Sequence, residues 1–210
     1  IGTTSPWGRL SVSTHNQSQS WQQIGSDLNI SSGTFFDITA LSPNRIAYID
    51  STNDDLRAYE FNGSTWSQVG SDFNISGLGI PALTTLSPNR VAFIDSFNKD
   101  LRTYEFNGVA WSQVGSDFNI ASTGVPTLTA LSPNRIAAEG VGDLSVYEFN
   151  GSTWSQVGTS LNISSGNSAI TALSPNRIAH VDSGNEALRV YEFNGSTWRQ
   201  VGEDFSLGSM

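Results

Sequence analysis

The chain contains no cysteine. That excludes disulfide staples, thiolate nucleophiles and every cysteine-based zinc site. Positive charge is also scarce, with ten Lys and Arg against nineteen Asp and Glu and a formal net charge of −9. Ten basic residues cannot build the dense cationic face that grips nucleic acid or anionic lipid, so no nucleic-acid partner is expected. No apolar run approaches the roughly 18 residues needed to span a bilayer, so no membrane insertion is expected either. The two histidines, His15 and His180, show no ligand spacing, and neither a metal nor another cofactor is expected. Nowhere do apolar residues recur with the 3.6-residue period of a useful helix.

What the chain has instead is repetition. Leu-Ser-Pro-Asn-Arg begins at Leu41, Leu86, Leu131 and Leu173, and Tyr-Glu-Phe-Asn-Gly at Tyr59, Tyr104, Tyr147 and Tyr191. A Trp followed four residues later by Gly occurs at Trp21, Trp66, Trp111, Trp154 and Trp198, spaced by 45, 45, 43 and 44 residues. A period of this length marks an array of supersecondary units. The units read as residues 1–34 (partial), 35–79, 80–124, 125–166 and 167–207 of a single domain, 1–210. Seven Asn-x-Ser/Thr sequons recur because the repeat recurs, and they establish no compartment.

Each repeat reads as four short strands. In the first complete copy Asp37 to Leu41 is the first strand, ended by the turn formers Ser42, Pro43 and Asn44. Arg45 to Asp50 is the second strand, and Leu56 to Phe61 the third, closed by the hairpin signal Asn62-Gly63. Trp66 to Gly70 is the fourth. The predicted fold is all-β: a β-propeller of four-stranded antiparallel blades, five in number with one incomplete. The N-terminal repeat keeps two clear strands, Leu10 to Thr14 and Trp21 to Gly25. These are expected to lie beside the C-terminal blade and close the ring, or to pair with another chain as a homo-oligomer.

The unit from Arg45 to Trp66 resembles the blade of the fucose-binding propeller lectins, in which Ile-Arg-Val-Tyr is followed by Ile-Arg-Glu and Asp-Gly-x-x-Trp. The blade count is similar to that of tachylectin-type propellers. The resemblance implies a fucose site made by an Arg, a Glu and an aromatic. Here the Arg position holds Ala47, Ala92, Ala137 and Ala179, and the Glu position Ala58, Thr103, Val146 and Val190. Of the three, the aromatic remains, as Trp66, Trp111, Trp154 and Trp198.

These tryptophans are candidate sugar-stacking residues, although their regular placement equally suits a core between blades. Asp50, Asp95 and Asp182 each precede an arginine, Arg57, Arg102 or Arg189, by seven residues. If each Asp faces its Arg across the hairpin, Tyr48 faces Tyr59 by the same register, and Phe93 and His180 take the Tyr48 position. The third repeat has Ala138, Gly140 and Ser145 at the aromatic, Asp and Arg positions. The pairs are therefore either a ligand site lost from one blade or structural hairpin clamps. No Gly-x-Ser-x-Gly turn exists, and the recurring polar groups do not include histidine, so no enzyme is expected. Polar features copied blade by blade favour a multivalent carbohydrate-binding module with shallow inter-blade sites, its partners glycans or glycoconjugates. The alternative is a non-enzymatic repeat scaffold or protein-interaction module.

Overall fold

The structure, a computed structural model, describes residues 22–30, 36–50, 52–75, 81–120, 127–140, 142–163 and 168–208. Among these residues there are four antiparallel sheets and no helix. The first sheet runs β1 (Phe36–Ser42), β2 (Arg45–Asp50), β3 (Asp55–Phe61), β4 (Trp66–Asn74). The second has β5 (Pro81–Ser87), β6 (Arg90–Asp95), β7 (Asp100–Phe106), β8 (Trp111–Gln113) and β9 (Phe118–Asn119). The third has β10 (Thr127–Ser132), β11 (Arg135–Glu139), β12 (Asp143–Phe149), β13 (Trp154–Gln156) and β14 (Leu161–Asn162). The fourth has β15 (Ser168–Ser174), β16 (Arg177–Asp182), β17 (Ala187–Phe193), β18 (Trp198–Gln200) and β19 (Phe205–Ser206). In the last three the outer strand is split in two, and both pieces pair with the third strand. Of the N-terminal repeat, Leu10 to Thr14 and Trp21 lie outside the described residues.

The turn chemistry explains where strands stop. The Asn44 carbonyl accepts from the Phe61 amide at 2.7 Å, tying the Ser-Pro-Asn turn to the neighbouring strand. At the other hairpin the Asn62 side-chain oxygen accepts from the Ser64 and Thr65 amides at 3.0 and 2.9 Å, a turn held by its own Asn. Asp54, Lys99 and Glu186 close the middle turn with left-handed φ of 56°, 60° and 49°, and Gly142 does so in the shorter third repeat with φ 84°.

The innermost strands β1, β5, β10 and β15 stand side by side in chain order. Their threonines join one sheet to the next. Thr85 Oγ1 lies 2.9 Å from Thr39 Oγ1 and from the Ala40 carbonyl, Thr84 Oγ1 accepts from the Ala130 amide, and Thr129 Oγ1 from the Ala172 amide. Small hydroxyl side chains are needed here because the strands approach closely. The core forms between consecutive sheets: each cluster combines apolar residues of one sheet with the Trp, Tyr and Phe of the next. A backbone latch accompanies it. Ser26, Ser71 and Ser116 donate their amides to the carbonyls of Ser64, Val109 and Ser152 in the following sheet, at 3.0–3.1 Å. The glycine before each of these serines has φ near +78°, and no Cβ would fit against the latched carbonyl.

Candidate functional site

Trp111, Trp154 and Trp198 belong to the inter-sheet core. Trp111, Trp154 and Trp198 are buried and Trp66 is half-buried, and each ring tilts against the Phe five residues earlier at 5.1–5.3 Å. Trp154 Nε1 donates to the buried Thr103 Oγ1 of the preceding sheet at 2.9 Å. The corresponding residues Ala58 and Val146 offer no acceptor, and Trp111 Nε1 and Trp198 Nε1 have no hydrogen-bond partner. Val146→Thr should therefore give Trp198 an acceptor and stabilise the protein by about 1 kcal/mol, read as a rise of a few degrees in Tm by calorimetry.

The aromatic series is buried as well: Tyr48, Phe93 and His180 show no useful surface. Their pairing differs from the sequence expectation. Tyr48 lies opposite Arg57, and Ile46 opposite Tyr59. The left-handed Asp54 lets β3 start at Asp55, so Asp50 pairs with Asp55 rather than with Arg57. Tyr48 still meets Tyr59 diagonally, edge to face at 6.4 Å.

The arginines sit in carboxylate clusters. Arg57 contacts Asp50 at 3.0 Å, Asp55 at 2.9 Å and Asp72 at 3.1 Å, with Asp50 fully buried. Arg189 contacts Asp182 at 2.6 Å and Asp204 at 2.8 Å, and Arg102 contacts Asp100 and Asp117 at 3.2 Å. Burial disfavours the Arg57 charge, but the hydrogen bond and charge of Asp72 outweigh it and hold the guanidinium above its ordinary range. Arg189, with Gln200 second, holds Asp204 below the usual carboxylate range. Asp50 also accepts from the Thr52 amide and from Asn53 Nδ2, which fixes the turn.

The third repeat lacks the cluster, and a cavity takes its place. Ala138 stands for the aromatic, Gly140 for the buried Asp, Ser145 for the Arg and Ser160 for the outer Asp. Four large or charged groups are thus replaced by small ones on the side facing the second sheet. The result is an open cavity of about 190 Å³ between the second and third sheets. Phe118, Ile120 and Ala138 supply apolar lining, and Asn119, Asp143, Ser145, Tyr147, Gln156 and Ser160 the polar groups. Ser145 Oγ and Ser160 Oγ are 2.8 Å apart, and Gln156 Nε2 donates to Ser160 Oγ at 2.9 Å. Phe118 and Tyr147 meet edge to face at 5.6 Å. Burial pushes the Tyr147 phenol up, against a hydrogen bond with Ser145, so it remains a neutral donor near pH 7. None of these lining residues is among the sequence-derived candidates. The signal was present in the joint replacement of Tyr, Asp and Arg in the third repeat, which reads as a lost site until the structure shows space.

Among the described residues no group of three or more His, Cys, Asp or Glu could hold a metal ion. No protein-family model matches the sequence, and no curated protein matches it. Solved structures do match. The SapL1 lectin in complex with alpha methyl fucoside is 15% identical with a TM-score of 0.55, over 80% of this chain and 64% of that one. A variant of the Aleuria aurantia lectin in complex with alpha-methyl-L-fucoside is 18% identical with a TM-score of 0.51, over 80% and 61%. A Bacteroides uniformis protein, named as a candidate 6-phosphogluconolactonase, is 14% identical with a TM-score of 0.62, over 78% and 52%. The fold is a β-propeller. This propeller chain spans between half and two thirds of the length of those three proteins. Likeness at such low identity shows architecture, and fucose-binding lectins are among the architectures matched.

Proposed function

We propose that this propeller is a carbohydrate-binding module that takes a neutral glycan unit in the cavity between the second and third sheets. The observation that carries the reading is the cavity's mixed lining. A pyranose presents C–H patches and a rim of hydroxyls, and the cavity offers Phe118, Ile120 and Ala138 beside the acceptors and donors of Asp143, Ser145, Tyr147, Gln156 and Ser160. Its volume of about 190 Å³ equals roughly six waters at about 30 Å³ each, space for a single sugar ring. The sequence led to the expectation of several such sites, with the third repeat degenerate. This proposal places the site at the third repeat, because an arginine and its carboxylates occupy the corresponding positions of the other three complete repeats. A single shallow site binds weakly, and useful affinity then comes from presenting several chains or sites to a glycan surface. Recognition of fucose through the lectins' Arg and Glu is not part of the proposal, since Ala137 and Val146 hold those positions in the third repeat.

The cavity is lined by one carboxylate and no histidine, a poor set for paired acid–base catalysis. This favours binding over hydrolysis. Ser145→Arg places a guanidinium beside Asp143 and fills the cavity. Glycan-array binding and calorimetric heats of the best array ligand should fall at least about tenfold, while Tm is kept. An array silent for the unsubstituted protein would favour the scaffold reading, and binding unchanged by Ser145→Arg would move the site elsewhere.

A further inference from the structure

The third repeat keeps a carboxylate whose cationic partner has been replaced. Asp55 and Asp100 hold Arg57 and Arg102 at 2.9 and 3.2 Å. Asp143 begins the same strand and pairs with Asn162 across the sheet, as Asp55 pairs with Asn74 and Asp100 with Asn119. Ser145 stands where the arginines stand, and among the described residues Asp143 is in no ion pair. Tyr147 likewise keeps the place of Tyr59, Tyr104 and Tyr191, whose phenols favour the guanidinium charge in their own repeats. The carboxylates of Asp50 and Asp72 become Gly140 and Ser160. The cavity wall therefore carries one negative charge and no positive one, in a chain whose formal net charge is −9.

We propose that this cavity binds an alkylguanidinium cation, its charge on Asp143, in the place that the other repeats give to their own arginine. Those repeats supply the template. In each of them a guanidinium lies 2.6–3.2 Å from carboxylates of the third hairpin and the outer strand. A guanidinium is flat, weakly hydrated and stacks on aromatic rings, and Phe118 and Tyr147 both line the cavity. An alkyl stem finds apolar neighbours in Ile120 and Ala138. Ala138 also leaves the room that Tyr48, Phe93 or His180 fills elsewhere, so a stem arriving from solvent has space that the arginines of the other repeats lack. A neutral group of the same shape gains nothing from Asp143, and the charge decides. Such binding does not depend on the glycan, and where both ligands bind they compete for one space.

Butylguanidinium and its neutral isostere butylurea provide the test, each added to the full chain at about 10 mM with ionic strength matched by sodium chloride. Butylguanidinium should raise Tm by about 2–5 degrees and butylurea should not. The rise should disappear in Asp143→Asn, which removes the charge, and in Ser145→Arg, which supplies the guanidinium from the chain itself. No rise, or an equal rise with butylurea, overturns the proposal, and so does a rise that both variants keep. A third probe, N-acetyl-arginine methylamide, separates the sources of the cation. A rise with it as well gives the site to an arginine side chain of a partner, and a rise with butylguanidinium alone gives it to a small free cation. A silent glycan array beside a cation-dependent rise sinks the glycan reading alone, whereas glycan binding lost in Ser145→Arg without any cation effect sinks this one alone.

Discussion

Gly115→Ala should cost about 2–5 kcal/mol and lower Tm by roughly 4–20 degrees. Two penalties combine. A left-handed φ of +79° costs a non-glycine residue roughly 1–2 kcal/mol, and forcing a methyl group into a filled space costs about 1–3 kcal/mol more. The new Cβ would press on the Ser152 carbonyl and approach the Phe149 ring to 3.1 Å. Both are parts of the third sheet, so the substitution separates two sheets where Ser116 holds them at 3.1 Å. Gly108→Ala isolates the first penalty, because φ is +95° there and nothing lies within 4 Å. It should cost about 1–2 kcal/mol. Equal losses in chemical denaturation would show that the latch carries no weight.

The second large effect concerns a polar pair between the third and fourth sheets. Glu139 and His180 are both buried, with His180 Nε2 3.5 Å from Glu139 Oε1, and Thr127 Oγ1 donates to Glu139 Oε2 at 3.2 Å. At the first junction the same two positions hold Ile49 and Phe93, at the second Ile94 and Ala138, all apolar and buried in the core. His180→Phe alone removes a polar neighbour of the buried Glu139 and should cost about 1–3 kcal/mol. Glu139→Ile together with His180→Phe copies the first junction and should be neutral or stabilising. The double-mutant cycle then gives a coupling of at least about 1 kcal/mol, and a value below about 0.5 kcal/mol would mean the two groups do not act together.

Much of the fold is legible without coordinates because its determinants are local. Ser-Pro-Asn and Asn-Gly mark the turns, and the alternation of Leu56, Ala58 and the residues between them gives the strand. The register of the middle hairpin is less legible. A spacing of seven between Asp50 and Arg57 is compatible with two pairings, and the left-handed backbone at Asp54 selects between them. The ion pair itself survives the change, since Arg57 is long enough to reach Asp50 diagonally at 3.0 Å. Its environment does not follow from sequence: Asp50 is fully buried while Asp72 is 44% exposed, so the cluster runs from the packed interior out to the surface.

By itself the sequence determined the repeat, the four-strand unit, the turn positions and the absence of thiol chemistry or a basic face, since each depends on residue type at fixed short spacing. The tertiary structure alone decided what the third repeat's replacements mean. Ala138, Ser145 and Ser160 are small side chains in any fold, but they leave a cavity only because the second sheet's Phe118 and Ile120 stop short of filling the space. The place of Trp111, Trp154 and Trp198 was decided in the same way. A ring that could stack on a sugar becomes core once the next sheet lies within van der Waals reach, a distance set by close packing between segments more than 40 residues apart.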